Sequence, residues 1–254
     1  MKTVIAIDSF KGSMTSMEAG NAAAAGVKAV FPDAEIVVRP LADGGEGTVE
    51  ALTTGMGGRM ETALVSDPLG RKISASYGIL GKNKTAVIEM AAAAGLPLLS
   101  KEERNPLHTT TYGVGELIRD AIRKGCRHFI VGIGGSATND GGVGMLSALG
   151  FEFLDKSGQP VRNGAAGLAD LTEIRSGHVL PVLKECTFRV ACDVENSLCG
   201  ELGCSSVFGP QKGADEKSIR QMDQWLFSYA QLTKEHFLQA DENCPGAGAA
   251  GGLG

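Results

Sequence analysis

The chain begins with alternating short apolar runs and helix-spaced segments. Val4 to Ile7 predicts a buried strand closed by Asp8, and Met14 to Val30 predicts an Ala-rich helix with Ser13 or Thr15 available near its start. Phe31-Pro32-Asp33 breaks that helix, Ile36 to Arg39 is a second strand, and Ala42-Asp43-Gly44-Gly45-Glu46-Gly47 leads into a helix from about Thr48 to Thr54. Two strand–loop–helix units in succession argue for a parallel sheet covered by helices.

The pattern changes after Gly58. Glu61 to Ser66 and Ile73 to Ile79 alternate in the manner of strands around Asp67-Pro68-Leu69-Gly70, and Lys84 to Met90 follows a turn near Gly81-Lys82-Asn83. Antiparallel pairing is expected there. A domain boundary is expected near residue 60, with 1–60 opening one domain and 61–254 forming a second α/β domain whose last residues return to the first. Further on, Val114, Leu117, Ile118 and Ile122 mark an amphipathic helix over Gly113 to Lys124. Phe129 to Ile133 and Phe188 to Cys192 are strands, and Ser218 to Phe237 is a long helix with Met222, Leu226, Tyr229 and Leu232 on one face. The sequence ends in the Gly-rich stretch Pro245 to Gly254.

Composition narrows the function classes. The 254 residues, 43% hydrophobic with a formal charge of -5, can bury a core but offer no basic surface for nucleic acid. No stretch is apolar and long enough for a bilayer, and the first residues do not form a signal peptide, so a cytoplasmic enzyme is expected. The six cysteines form no CxxC pair, which suits reduced thiols. The 36 glycines cluster in short motifs between apolar segments, where the backbone must approach something closely.

Candidate chemistry lies where strands end. Gly132 to Gly142 follows a strand and precedes the apolar stretch Val143 to Leu149, the position of an anion site at a helix N-terminus. It is neither a Walker A motif nor a clean GxGxxG. Gly134, Gly135, Ser136, Thr138, Asn139 and Gly141 are its candidate nucleotide-binding residues. Asp43 and Glu46 flank a Gly-rich turn where open parallel sheets bind ligands, and either acid could hold Mg²⁺ or cap the helix. Asp8, Ser9 and Lys11 close the first strand; Asp193 closes a later one, and Lys212 lies on the Gly- and Pro-framed loop Phe208 to Gly213. A dinucleotide-dependent oxidoreductase would need GxGxxG at the first strand-to-helix turn, with an acid about 20 residues on, which is not found there. A non-catalytic anion-binding module would not need several acidic loops.

Taken in order, these loops resemble the bacterial glycerate kinase family, type I. The matching stretches are Asp8 to Lys11, Ala42 to Thr48, Ala86-Val87-Ile88-Glu89-Met90-Ala91, Gly132 to Gly142, Ala191 to Val194, Phe208 to Gly213 and Pro245 to Gly254. The resemblance implies an α/β fold of two domains: a Rossmann-like parallel-sheet domain built from both chain ends, and an inserted α/β domain with a mixed sheet. It also implies members that continue past Gly254, so the chain reads as lacking a C-terminal part. The implied reaction is transfer of the γ-phosphoryl group of ATP, with Mg²⁺, to D-glycerate, giving 2-phosphoglycerate or alternatively 3-phosphoglycerate. On that reading the Gly134 to Gly142 loop takes the nucleotide phosphates. Ser9, Asp43, Gly44, Gly45 and Glu46 face glycerate, and Asp43, Asp140 and Asp193 are the metal candidates. Lys11 or Lys212 offsets charge, and either Asp8 or Asp193 accepts the hydroxyl proton. The expected partner is a small molecule, in a monomer or homodimer.

Overall fold

The computed structural model describes residues 1–10, 13–41, 47–81 and 84–254. Strand β1 (Lys2–Ile7) pairs in parallel with β2 (Glu35–Pro40), from Lys2 opposite Glu35 to Ile7 opposite Pro40. Helix α1 (Ser16–Val30) joins them and packs on the pair. Its start is fixed by a capping box. The Thr15 hydroxyl accepts the Glu18 amide at 3.2 Å, and the Glu18 carboxylate accepts the Thr15 amide at 2.8 Å. The expectation of a buried first strand needs correction. Thr3, Ile5 and Ile7 are half-buried, whereas Val4 is 60% exposed. The cause is that α1 covers one face of a two-stranded sheet, so alternate side chains of β1 face outward.

Helix α2 (Thr48–Gly55) follows, packing against β2 and against the main sheet. That sheet has the order β3 (Arg59–Ser66), β4 (Lys72–Leu80), β5 (Thr85–Glu89), β6 (His128–Gly132), β9 (Thr187–Ala191). β4 pairs antiparallel with both β3 and β5, as the sequence suggested, while β5, β6 and β9 run parallel. The turn between β3 and β4 is built around buried Asp67, whose carboxylate accepts the amides of Leu69 at 2.8 Å and Arg71 at 2.9 Å. The described residues are thus α/β, with a parallel pair and a five-stranded mixed sheet beside a small antiparallel pair.

Two large cores hold the fold together, with a smaller one where Val49 of α2 packs on Leu80 and Val87 of the main sheet. In the first, helix α4 (Tyr112–Arg123) sets Val114, Leu117 and Ile118 against Tyr77, Ile88 and Phe129 of the main sheet. Fully burying each such side chain contributes about 1.5–3 kcal/mol. In the second, helix α7 (Glu216–His236) sets Leu226 and Tyr229 against Phe153 and Leu168. Phe153 belongs to β7 (Glu152–Leu154), which pairs with β8 (Glu173–Arg175) in a small hairpin-like sheet. Short helices α3 (Ala91–Ala94), α5 (Val143–Ala148) and α6 (Cys204–Phe208) complete the described structure. All six cysteines are unbridged. No described helix is long and apolar enough to cross a membrane.

Two helical glycines separate packing from propensity. A Cβ at Gly113 in α4 would stand 1.9 Å from the Ser66 carbonyl oxygen, whereas one at Gly26 in α1 meets nothing within 4 Å. Gly26→Ala is expected to stabilise by about 0.5–1 kcal/mol, and Gly113→Ala to destabilise by roughly 3 kcal/mol or more. Urea unfolding of both variants checks this, and equal effects would contradict it.

Candidate active site

Register places the chemistry. β5, β6 and β9 are parallel and aligned, with Glu89 opposite Gly132 and Gly132 opposite Ala191. Their C-terminal ends share one edge, where open α/β sheets bind ligands. From that edge leave Glu89, the Gly134 to Gly142 loop and Asp193. Beside it lies a cleft of about 480 Å³. Ser9 and Phe10 after β1, Gly47 and Val49 at the start of α2, Glu89 at the end of β5, and Ala92 line it. The structure therefore brings Ser9 together with the segment that follows Glu46. Lys11, Asp43, Gly44, Gly45 and Glu46 lie outside the described residues.

Glu89 was not singled out from the sequence, although its stretch carried the resemblance. It is half-buried, and its carboxylate accepts the Val49 amide at 2.8 Å. An acid at the first turn of α2 satisfies an otherwise orphan donor and complements the helix dipole. It also ties the α2 segment to the main sheet. The signal was present: Glu89 closes the apolar run Ala86-Val87-Ile88 just as Asp8 closes the first strand. Asp8 is half-buried, with Oδ1 accepting the Ser9 amide at 2.6 Å. Asp193 is exposed and makes no hydrogen bond among the described residues.

The Gly-rich loop divides in two. Gly134 and Gly135 are exposed, but Ser136, Ala137, Thr138, Asn139, Asp140 and Gly141 are buried. The inner half is spoken for by the protein. The Ala137 carbonyl accepts the Thr109 hydroxyl at 2.7 Å, and the Asn139 amide nitrogen donates to Ser205 Oγ at 2.8 Å. Asp140 accepts the Thr111 amide and hydroxyl, each at 2.9 Å, and the amides of Gly142 and Gly144, each at 3.2 Å. Burial pushes the Asp140 pKa up while these donors pull it down.

The anion site expected at the helix N-terminus is therefore displaced. The first amides of α5 are occupied by Asp140 and by Thr111 Oγ1, which accepts Met145 N at 2.9 Å. Only Gly134 and Gly135 open to solvent at the strand edge. The terminal Gly-rich stretch closes the loop from the other side. Gly251 O accepts the Gly141 amide at 2.9 Å, and a Cβ at Gly251 would stand 2.2 Å from Thr138 O. Lys212, expected to offset charge on the transferring group, is 1% exposed, and its ammonium donates to the Thr138 carbonyl at 2.6 Å. Desolvation lowers its pKa to about 8.

The fit to Mg²⁺ differs between candidates. Each Asp140 oxygen already faces protein donors, so its carboxylate does not suit a cation, while exposed Asp193 does. Among the described residues no group of three or more His, Cys, Asp or Glu gathers to hold a metal. A kinase needs no such cage, since Mg²⁺ is usually held by one or two carboxylates plus substrate phosphates.

Comparison with known proteins decides the family: the profile of the glycerate kinase family matches residues 3–254. The chain belongs to the glycerate kinase family. It is a kinase, and the ordered loops on which the resemblance rested point to the same family. Glycerate kinase of Haemophilus influenzae is 50% identical over 254 residues, all of this chain and 67% of that protein. Glycerate 2-kinase of Escherichia coli is likewise 50% identical over the whole chain and 67% of its own length. A crystal structure from Salmonella typhimurium LT2, provisionally assigned as glycerate kinase 2, superposes with a TM-score of 0.96 at 46% identity, covering 100% of this kinase and 68% of that chain. This kinase thus spans about two thirds of the length of these relatives.

The Asp140 knot sets one expectation. Asp140→Asn places an NH₂ group against amide donors, and should destabilise the kinase by about 1–3 kcal/mol per lost acceptor. Urea unfolding measures it; an unchanged midpoint would show that these bonds contribute nothing.

Proposed function

We propose that this kinase transfers the γ-phosphoryl group of ATP to D-glycerate, giving ADP and 2-phosphoglycerate, with 3-phosphoglycerate as the alternative product. The observation that carries the proposal is the shared edge. Three aligned parallel strands release Glu89, the open Gly134-Gly135 turn and Asp193 at one edge, and Glu89 also lines the cleft with Ser9. The Escherichia coli relative bears the name glycerate 2-kinase, which favours phosphorylation at the 2-hydroxyl.

Phosphoryl transfer asks mainly for positioning and charge neutralisation. The two halves of the site divide this work. On the nucleotide side, the Gly134 and Gly135 amides approach the phosphates without side-chain obstruction. Asp193 would hold Mg²⁺, which supplies neutralisation of phosphate charge. On the acceptor side, Ser9 and the Asp43-Gly44-Gly45-Glu46 segment, followed directly by Gly47 in the cleft wall, bind glycerate. Lys11 pairs with negative charge there. Asp8, held by the Ser9 amide, receives the hydroxyl proton.

ADP release with MgATP and D-glycerate is the test, with EDTA as control. Glycerate- and Mg²⁺-dependent turnover is expected. Asp8→Asn should lower kcat at least about 100-fold while leaving MgATP affinity intact. Asp193→Asn should weaken MgATP binding and raise the Mg²⁺ requirement. Reversed outcomes would exchange the two roles, and full turnover by Asp193→Asn would remove that residue from the site.

A further inference from the structure

Lys212 is a lysine inside a protein core, where lysine is seldom found unpaired. It sits in a 3-10 turn, Pro210–Lys212, closed by Gly213 at φ 92°. A side chain at Gly213 would have its Cβ 2.2 Å from Arg104 O, so the turn is pressed against the Arg104 segment. From there the ammonium reaches 74 residues back along the sequence to the Thr138 carbonyl, at 2.6 Å. Thr138 and Asn139 are fully buried, and Thr138 Oγ1 and Asn139 Oδ1 have no hydrogen-bond partner among the described residues. That stretch of loop therefore relies on few bonds: Lys212 to the Thr138 carbonyl, the Asn139 side-chain amide to Ser205 Oγ and Met222 Sδ, and the Asp140 set that follows.

We propose that Lys212 is a positioning residue, which fixes the buried half of the Gly134 to Gly142 loop from beneath so that Gly134 and Gly135 are presented in one conformation at the sheet edge. This rests on the reading of that loop as the phosphate-binding element. Lys212 itself faces the core and does not touch the nucleotide. Its ammonium takes up the carbonyl that a tight Gly-rich turn leaves without a regular partner. A charged donor is the stronger choice for such a buried acceptor.

The bond is stronger with Lys212 protonated, and desolvation brings its pKa down to about 8. The charged and titratable groups that face it are Asp140 from the loop and Cys204 from α6, with Arg104 on the segment packed against Gly213. Burial holds the Cys204 thiol up at about 11, so it stays neutral near pH 8. In a loop opening that leaves Lys212 in the core and costs it only the Thr138 carbonyl, the charged bond is what is lost, so loop order should weaken as pH rises through about 8. Global stability moves the other way at this residue. A depressed lysine pKa means that its contribution is present above the unfolded value of about 10.5 and is lost as pH falls through about 8. A local and a global readout are thus separable.

The test is amide hydrogen exchange on the whole chain, followed in peptides covering 136–142, whose Ala137, Gly141 and Gly142 amides have named acceptors. Between pH 7 and pH 9, after correction for intrinsic exchange, wild-type protection in these peptides should fall at least about tenfold, while α7 stays protected. Lys212→Arg, which remains charged, should keep its protection level across that range. Lys212→Met should show the faster loop exchange already at pH 7, with MgATP affinity lowered about tenfold. Loop protection that is flat with pH in the wild type overturns the proposal, and so does an effect of Lys212→Met spread evenly over the chain. A pH dependence that persists in Lys212→Met or Lys212→Arg belongs to Asp140 and also overturns it. If Lys212→Met fails to fold, the wild-type and Lys212→Arg series decide. Wild-type protein that binds no MgATP, but shows the local exchange pattern, sinks the phosphate reading of the loop and leaves the positioning role standing.

Discussion

The buried carboxylate of Asp140 is the constraint on which the site is built. It receives the amide and hydroxyl of Thr111, which caps α4, and the amides of Gly142 and Gly144, which open α5. One side chain thus joins the helix that covers the main sheet to the loop that leaves its active edge. Asp140 is 1% exposed, and an isolated carboxylate at that depth would be costly. Protein donors offset the cost, with Lys212 adding a favourable field. The geometry is over-determined: moving the loop would strand a buried carboxyl group and the amides bonded to it. Gly134 and Gly135, a few residues upstream, inherit that rigidity, although they face water.

The glycines follow from the same constraint. Two Gly-rich segments far apart in sequence, around Gly141 and around Gly251, lie backbone against backbone. A Cβ at Gly252 would stand 2.8 Å from the Gly141 Cα, and one at Gly141 would stand 2.7 Å from the Tyr229 ring. No larger residue fits between them without displacing main chain. The terminal stretch is therefore part of the wall behind the Gly134 to Gly142 loop, and its Ala249 belongs to the main core.

The repeating elements were legible because each had a period: the α4 face through Leu117 and Ile118, the α7 face through Leu226 and Tyr229, and the alternation of β3 and β4. β7, β8 and α6 were not, since three to five residues carry too little periodicity to stand out. Residues of the candidate site can be read from the sequence by a related rule. Asp8, Gly134 and Asp193 announce themselves by closing apolar runs, and the rule extends to Glu89. What the sequence concealed is depth. Thr138, Asn139, Asp140 and Lys212 are polar residues in glycine-rich stretches, the usual composition of a solvated loop. Their burial depends on packing against α6, α7 and the 249–253 segment, which no local pattern encodes.

Glu89 gives this arrangement its remaining coupling. In the proposed function the acceptor half of the site hangs on the β1–β2 pair and α2, and the nucleotide half on the edge of the main sheet. For in-line transfer the two must be held at a fixed separation, because misplacement by about 1 Å can cost 100-fold in rate. The Glu89 carboxylate belongs to the main sheet, yet it holds the Val49 amide in the first turn of α2, two residues beyond Gly47 in the cleft wall. A hydrogen bond with an ionised acceptor is stronger than a neutral one, and here the helix dipole adds to it. The same bond occupies an amide of the first turn of α2 in the cleft wall. On the proposed reading, which gives phosphate to the open glycine turn and the acceptor to the β1 end, this one carboxylate would help to set the spacing of the two halves.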